Sequence, residues 1–175
     1  YTLALLDPRA RLALAATMAG FLLSWEATAS VFMFPEIRES LAGGDVVQAS
    51  WVLTITGVIS SALLLLSGRL GERVGYGTLY QVGLLLFCAT SLLSGAAPNL
   101  LVLIVFRSLA AASIAVIAPS SIAIIAATAP ADAQARAIAR YVLWAGIASF
   151  TAPITMTLLV STLSWRYGYF VQAPF

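Results

Sequence analysis

Glu26 and Arg107 are the two charged residues that fall deep inside long apolar runs of this chain. Facing lipid, either would cost about 3 kcal/mol or more, so each is expected to turn toward a protein interior and to have a partner. Their depths are similar. Glu26 precedes Pro35 by nine positions, about 14 Å of helix, and Arg107 follows Leu100 by seven, about 11 Å. Two opposite charges at similar depth on different helices could meet, and two readings of that meeting stand side by side. A structural ion pair would hold two helices in register. A carboxylate that exchanges protons or a cationic substrate would use Arg107 as its electrostatic tuner, because burial disfavours a charged carboxyl and a neighbouring guanidinium favours it. Arginine suits that part because it stays charged when buried.

Other chemistries lack their residues. There is no His, which removes imidazole bases and imidazole metal ligands. The single Cys88 excludes an internal disulfide and a thiolate cage, and it has no charged neighbour within a turn to make it a nucleophile. The stretch Gly68-Arg69-Leu70-Gly71-Glu72-Arg73-Val74-Gly75-Tyr76-Gly77 is rich in glycine. It has neither the G-x-G-x-x-G that follows a strand nor a Gly-Lys-Ser/Thr, so a nucleotide site is excluded. No enzyme activity, no metal and no cofactor are expected.

The elements that position Glu26 and Arg107 follow from composition. Of 175 residues, 61 % are hydrophobic and 9 % charged, against about 25 % charged in a soluble domain; the mean hydropathy is +0.98. Apolar runs cover about 12–34, 47–66, 79–93, 100–128 and 138–163, and a sixth opens at Trp165. Runs of this length without period-2 alternation predict helices and exclude a membrane barrel. The expected fold is all-α: a polytopic membrane bundle of five transmembrane helices plus the start of a sixth, with short connections that make neighbours antiparallel. The net charge of +2 is no footprint for nucleic acid. A secretory leader, with Arg9 and Arg11, the run to Trp25 and the small residues Ala27-Thr28-Ala29, is the competing reading of the N-terminus. Apolar sequence resumes through Phe34, and no soluble domain follows.

Arginines set the orientation. With the N-terminus inside, Arg9, Arg11, Arg69, Arg73, Arg136 and Arg140 fall on the inner side, and Arg38 and Arg166 on the outer. Trp51 and Trp165 then sit at the outer boundary, where indoles are favoured. The small residues around Arg107 (Ser108, Ala110, Ala111, Ala112, Ser113, Ala115, Ala118) make the fourth span slender, which favours close helix approach. Pro119 can loosen its backbone. Ser24, Thr28, Ser30, Thr54 and Thr56 are neutral polar residues that more often bond their own backbone than a ligand.

Taken in order, these landmarks resemble the N-terminal part of a major facilitator superfamily transporter, nearest to the fourteen-helix branch of drug:proton antiporters. Gly68 to Tyr80 looks like the signature G-x-L-a-D-r-x-G-r-[KR] between helices 2 and 3. Arg107 stands at the arginine of the helix 4 signature R-x-x-q-G-x-g, with Ala110 and Ala111 in the Gln and Gly slots. Trp25-Glu26-Ala27-Thr28 through Pro35 is similar to L-D-x-T-I-v-n-v-A-L-P, with Glu26 in the acidic slot. Ser164-Trp165-Arg166-Tyr167-Gly168-Tyr169-Phe170-Val171-Gln172-Ala173-Pro174 is similar to S-W-R-W-i-F-l-i-N-v-P, and Pro119-Ser120-Ser121 to P-s-S. The chain departs from the pattern at Glu72 (usually Asp), at Tyr76-Gly77 (usually basic) and at Thr56 (usually Tyr). In helix 5, the antiporter pattern G-x-x-x-G-P-x-x-G-G is met by Ala148, Ala152-Pro153, Met156 and Thr157.

The resemblance implies an architecture of inverted three-helix repeats, in which Glu26 and Arg107 lie on the cavity-lining first helices of two triplets. It implies Glu26 and Arg107 as the proton-coupling pair and Gly68, Glu72 and Arg73 as a conformational switch loop. The substrate cavity is expected at Glu26, Ser30, Thr56, Arg107 and Ala111. Residues 1–175 are expected to be the N-terminal bundle of a longer transporter that exports small amphipathic molecules or drugs in exchange for protons. The implied partners are the lipid bilayer, a small-molecule substrate, protons and a missing C-terminal half, in a multi-pass cell (inner) membrane protein with its N-terminus cytoplasmic. A uniporter or metabolite exporter of the same superfamily, or a non-transporting scaffold, is the alternative.

Overall fold

The computed structural model describes residues 8–173, with side chains from Leu12 onward. The side chains of Arg9 and Arg11, and Pro174, lie outside that range. Six helices follow one another: α1 (Pro8–Leu41), α2 (Val46–Val74), α3 (Tyr76–Gly95), α4 (Leu100–Thr128), α5 (Gln134–Thr162) and α6 (Trp165–Gln172). Among the described residues there is no strand. The first five are long and apolar enough to cross a membrane, with mean hydropathy from 1.3 to 2.5 over their most apolar windows. The chain is an all-α membrane bundle.

The helices outrun their apolar stretches for local reasons. α1 continues through Pro35, which removes only one backbone bond, and its last turns are held from outside. The Trp165 amide donates to the Glu36 carboxylate at 2.8 Å, and the Trp165 indole donates to Ser40 Oγ at 3.0 Å. Ile37 on the same turn is buried. α2 carries its helix through Arg69, Glu72 and Arg73 and stops at Gly75, whose φ of 93° is the left-handed conformation that favours glycine. The segment from Gly68, expected as a loop, is therefore two further turns of α2, and Gly75 alone separates α2 from α3. Charged helix formers extend an apolar run in water as readily as in lipid, so the end of hydropathy was not the end of the helix. Side chains close other ends: Asp45 accepts from the Val47 and Gln48 amides, and Asn99 from Val102. Each such cap stabilises by about 1 kcal/mol.

α1 packs along α5, and α4 packs along both α2 and α3 while crossing α1; α6 lies on α3 with α1 and α5 at its flanks. Two buried clusters fill the bundle. Toward the α1–α2 connection, Trp25, Ala29, Met33 and Ile37 of α1 form a stripe at four-residue spacing against Ala148, Ala152 and Met156 of α5 and Trp165 and Tyr169 of α6. Toward the α2–α3 connection, Ala16, Ala19 and Leu22 meet Tyr80, Phe87, Ile117, Ile124 and Ile125. Tyr80 Oη donates to the Ala15 carbonyl at 2.7 Å and ties α3 to α1.

At Gly20, α1 approaches α5 so closely that a Cβ would run into the backbone carbonyl of Tyr141. Backbone cannot yield as a side-chain tip does, so Gly20→Ala is expected to destabilise by about 1–3 kcal/mol through overpacking. Gly146→Ala, whose added methyl meets nothing within 4 Å, is the control and should not lower stability. Thermal unfolding of the two detergent-purified variants checks the pair. Equal Tm values would contradict the close crossing.

Candidate functional site

Glu26 and Arg107 meet at the centre of the bundle. Glu26 points from α1 into the space shared with α2 and α4, and its Oε1 accepts from Arg107 Nη2 and, at 3.0 Å, from Ser30 Oγ one turn away. Arg107 Nη2 also lies 3.4 Å from both Ser30 Oγ and Thr56 Oγ1. Three helices thus converge on one guanidinium nitrogen. Glu26 and Arg107 are 2 % and 1 % exposed. On the far side, the Arg107 Cζ stands 5.3 Å from the centroid of the Tyr169 ring, within the range of a cation–π contact.

The pair forms one wall of a cleft of about 320 Å³ between α1, α2 and α4. Leu23, Glu26, Ala27, Ser30 and Val31 line it from α1; Leu53, Thr56, Gly57 and Ser60 from α2; Arg107 and Ile114 from α4. A hollow of about 170 Å³, lined by Ser60, Ser61, Leu64, Ile114, Ala115 and Ala118, continues from it along α2 and α4. The cleft is apolar with a few hydroxyls and one charged pair, the composition that suits an amphipathic small molecule. Among the described residues, no three His, Cys, Asp or Glu side chains stand together to hold a metal ion.

Four of the five residues expected at the cavity line this cleft. Ala111 does not: it is fully buried within the bundle, and Ile114 reaches the cleft from α4 instead. Leu23, Ala27, Val31, Leu53, Gly57, Ser60 and Ile114 were missed, although a helical signal was present for three of them, Leu23, Leu53 and Ser60. Positions three or four residues from Glu26 and Thr56 share their helix faces, which includes Leu23 and Ser30 on α1 and Leu53 and Ser60 on α2.

Gly68, Glu72 and Arg73 lie elsewhere. Glu72 is sixteen residues beyond Thr56 on α2, about 24 Å along the axis. Glu72 and Arg73 are exposed, and Gly68 is half-buried with space around its Cα. Gly71, between them, is where the Tyr76 ring folds back, with Tyr76 Oη 3.4 Å from the Gly68 carbonyl.

α6 begins at a strap of polar contacts. Arg166 Nη1 donates to the Gly95 and Ala97 carbonyls at 3.0 and 2.6 Å, and its guanidinium covers the Trp165 ring at 4.6 Å. One turn in, a Cβ at Gly168 would strike the Met33 and Met156 sulfurs. Met156, where the resembling helix 5 pattern has glycine, thus finds its room opposite a glycine on α6.

The sequence model of the Major Facilitator Superfamily matches residues 16–175. The chain belongs to that superfamily. It is 32 % identical over 131 residues to the uncharacterised MFS-type transporter YvkA of Bacillus subtilis, covering 75 % of this chain and 30 % of the relative. Puromycin resistance protein pur8 of Streptomyces alboniger is 31 % identical over 171 residues, 96 % of this chain and 34 % of its own length. Multidrug export protein EmrB of Haemophilus influenzae is 28 % identical over 163 residues, 93 % of this chain and 32 % of its own length. The chain spans about a third of the length of these curated relatives.

Proposed function

We propose that this chain forms the N-terminal bundle of a longer secondary transporter that exports small amphipathic molecules or drugs in exchange for protons. The observation that carries the reading is the buried Glu26–Arg107 pair in the wall of an apolar cleft. A buried carboxylate balanced by one guanidinium changes the charge of the cleft each time it takes or releases a proton. That is what coupling requires. Glu26 is read as the carboxyl that carries the proton, Arg107 as its tuner, and Ser30 and Thr56 as the neutral polar contacts of the site. The names of two relatives, a puromycin resistance protein and a multidrug export protein, support the substrate class. Their threefold greater length supports a second half that completes the cavity.

The test is dye accumulation by the full-length protein in membrane vesicles, with a proton gradient imposed and then collapsed. Gradient-dependent accumulation of amphipathic cationic dyes is the expected result. Dye movement that only equilibrates, indifferent to the gradient, would overturn antiport. It would favour a uniporter or metabolite exporter of the same superfamily, a reading to which the non-glycine residues Ala148, Ala152 and Met156 of α5 lend support.

Gly68, Glu72 and Arg73 are read as a switch segment that acts on the access state and not on substrate. The exposure of Glu72 and Arg73 and their distance from the cleft support a role in contacts outside this bundle. The arginine bias supports placing this end of α2 in the cytoplasm of a cell (inner) membrane, with the N-terminus inside. In a Cys88→Ala background, Arg73→Cys is expected to react with a membrane-impermeant thiol reagent only after the membrane is opened. Labelling from the outside of intact cells would reverse the orientation.

A further inference from the structure

Arg107 is held by only one of its nitrogens. Nη2 makes every hydrogen bond the guanidinium has, to Glu26, Ser30 and Thr56, while Nε and Nη1 are buried without one. If Glu26 becomes neutral, the strongest of those contacts is lost and a full positive charge remains on a side chain that is 1 % exposed. A group must then hold it. Beside the Ser30 and Thr56 hydroxyls that Nη2 already touches, the ring of Tyr169 stands 5.3 Å from Cζ.

Tyr169 is itself rigidly placed. It is 0 % exposed, its ring meets Trp165 edge to face at 5.9 Å, and Trp165 is fastened to Glu36 and Ser40 of α1. Its hydroxyl lies beside Ser30, outside ordinary hydrogen-bond geometry, so the face of the ring is its ordered contact with the pair. The charged groups of the helices around it are few. Glu26 and Arg107 are the ones that face it; Glu36 and Arg166 are engaged at the start of α6. α3 carries no charged residue, and the two arginines of α5 lie in its first two turns, at the opposite end.

We propose that Tyr169 is a positioning residue for this pair: the face of its ring holds the Arg107 guanidinium in place through the part of the cycle in which Glu26 is protonated and the ion pair is open. Without the ring, the guanidinium would be held only through Nη2 by the Ser30 and Thr56 hydroxyls and would be free to move further into the cleft. The inference rests on Glu26 as the proton-carrying group, but its test needs no transport, so the two can fail separately.

The experiment is a double-mutant cycle on the full-length protein in detergent, with Glu26→Gln standing for the protonated carboxyl and Tm as the readout. Tyr169→Leu is expected to lower Tm at least about twice as far in the Glu26→Gln background as in the unaltered one. Tyr169→Phe, which keeps the ring, should rescue in both. Plain packing by Tyr169 predicts equal losses in the two backgrounds, and that result overturns the proposal. Where Glu26→Gln proteins do not accumulate, a series of progressively fluorinated phenylalanines at position 169, in the Glu26 background, decides. Fluorine drains the negative face of the ring at nearly constant size, so Tm should fall stepwise with fluorine number. A flat series overturns the role of the ring.

Discussion

Arg107→Ala is expected to leave little folded protein. The substitution removes the charge that compensates Glu26 and leaves a carboxylate 2 % exposed with the Ser30 hydroxyl as its remaining donor. Breaking a buried ion pair from one side costs about 3–5 kcal/mol, a large part of the 5–15 kcal/mol or so that holds a typical protein folded. It also empties the space in which α1, α2 and α4 converge, since Nη2 of this one residue touches side chains from both of the other helices. Arg107→Lys should recover part of the loss. An ammonium restores the charge, but it lacks the flat guanidinium face that stands over the Tyr169 ring. Yield and Tm of the detergent-purified variants give the order: unaltered, then Lys, then Ala. An Ala variant as stable as the unaltered protein would mean that the pair contributes nothing to the fold.

Glu26→Gln is expected to abolish proton-driven export while leaving a binding site. Glutamine keeps the shape and still accepts from Ser30, so the cleft walls at Leu23, Ala27, Val31 and Leu53 are unchanged. What it loses is a site at which a proton can be taken up and released. Export under an imposed pH gradient should fall to the level of vesicles without the protein. The affinity for an uncharged substrate should move far less, because the apolar walls of the cleft are unchanged, although the amide leaves the Arg107 charge uncompensated. Both quantities are read on the same vesicle preparation, by gradient-driven uptake and by equilibrium binding. Loss of binding together with export would place Glu26 in substrate recognition.

Much of this was legible in the chain because lipid is an unforgiving solvent. Glu26 and Arg107 stood out as costly in hydrocarbon, and matching their depths along two spans was enough to anticipate that they could meet. Helix number and order were legible for the same reason, since an apolar run of twenty residues has few other uses. Helix ends were not. Arg69, Glu72 and Arg73 read as the end of a span, yet they continue α2, because hydropathy reports the membrane and not the backbone. Gly75, with φ of 93°, carries the true stop and was one glycine among several in that stretch. Ala111 was placed in the cavity by its motif slot, whereas the face of α4 that reaches the cleft is set by how α4 rotates between α2 and α3. Tyr169 could not be read at all from spacing. Its place beside Arg107 depends on the angle at which α6 returns across α1, fixed by Glu36, Ser40, Trp165 and Gly168, contacts more than a hundred residues apart in the chain for the first two.

The most direct test of Glu26 as the proton-carrying group is proton movement driven by substrate. The full-length protein and its Glu26→Gln variant are placed in vesicles loaded with a pH-sensitive dye, a substrate gradient is applied, and exchange of labelled substrate is followed in parallel. The unaltered protein should move protons against the substrate flow; the variant should move none and still exchange substrate. Proton movement in the Glu26→Gln protein with an unchanged pH profile would contradict the account.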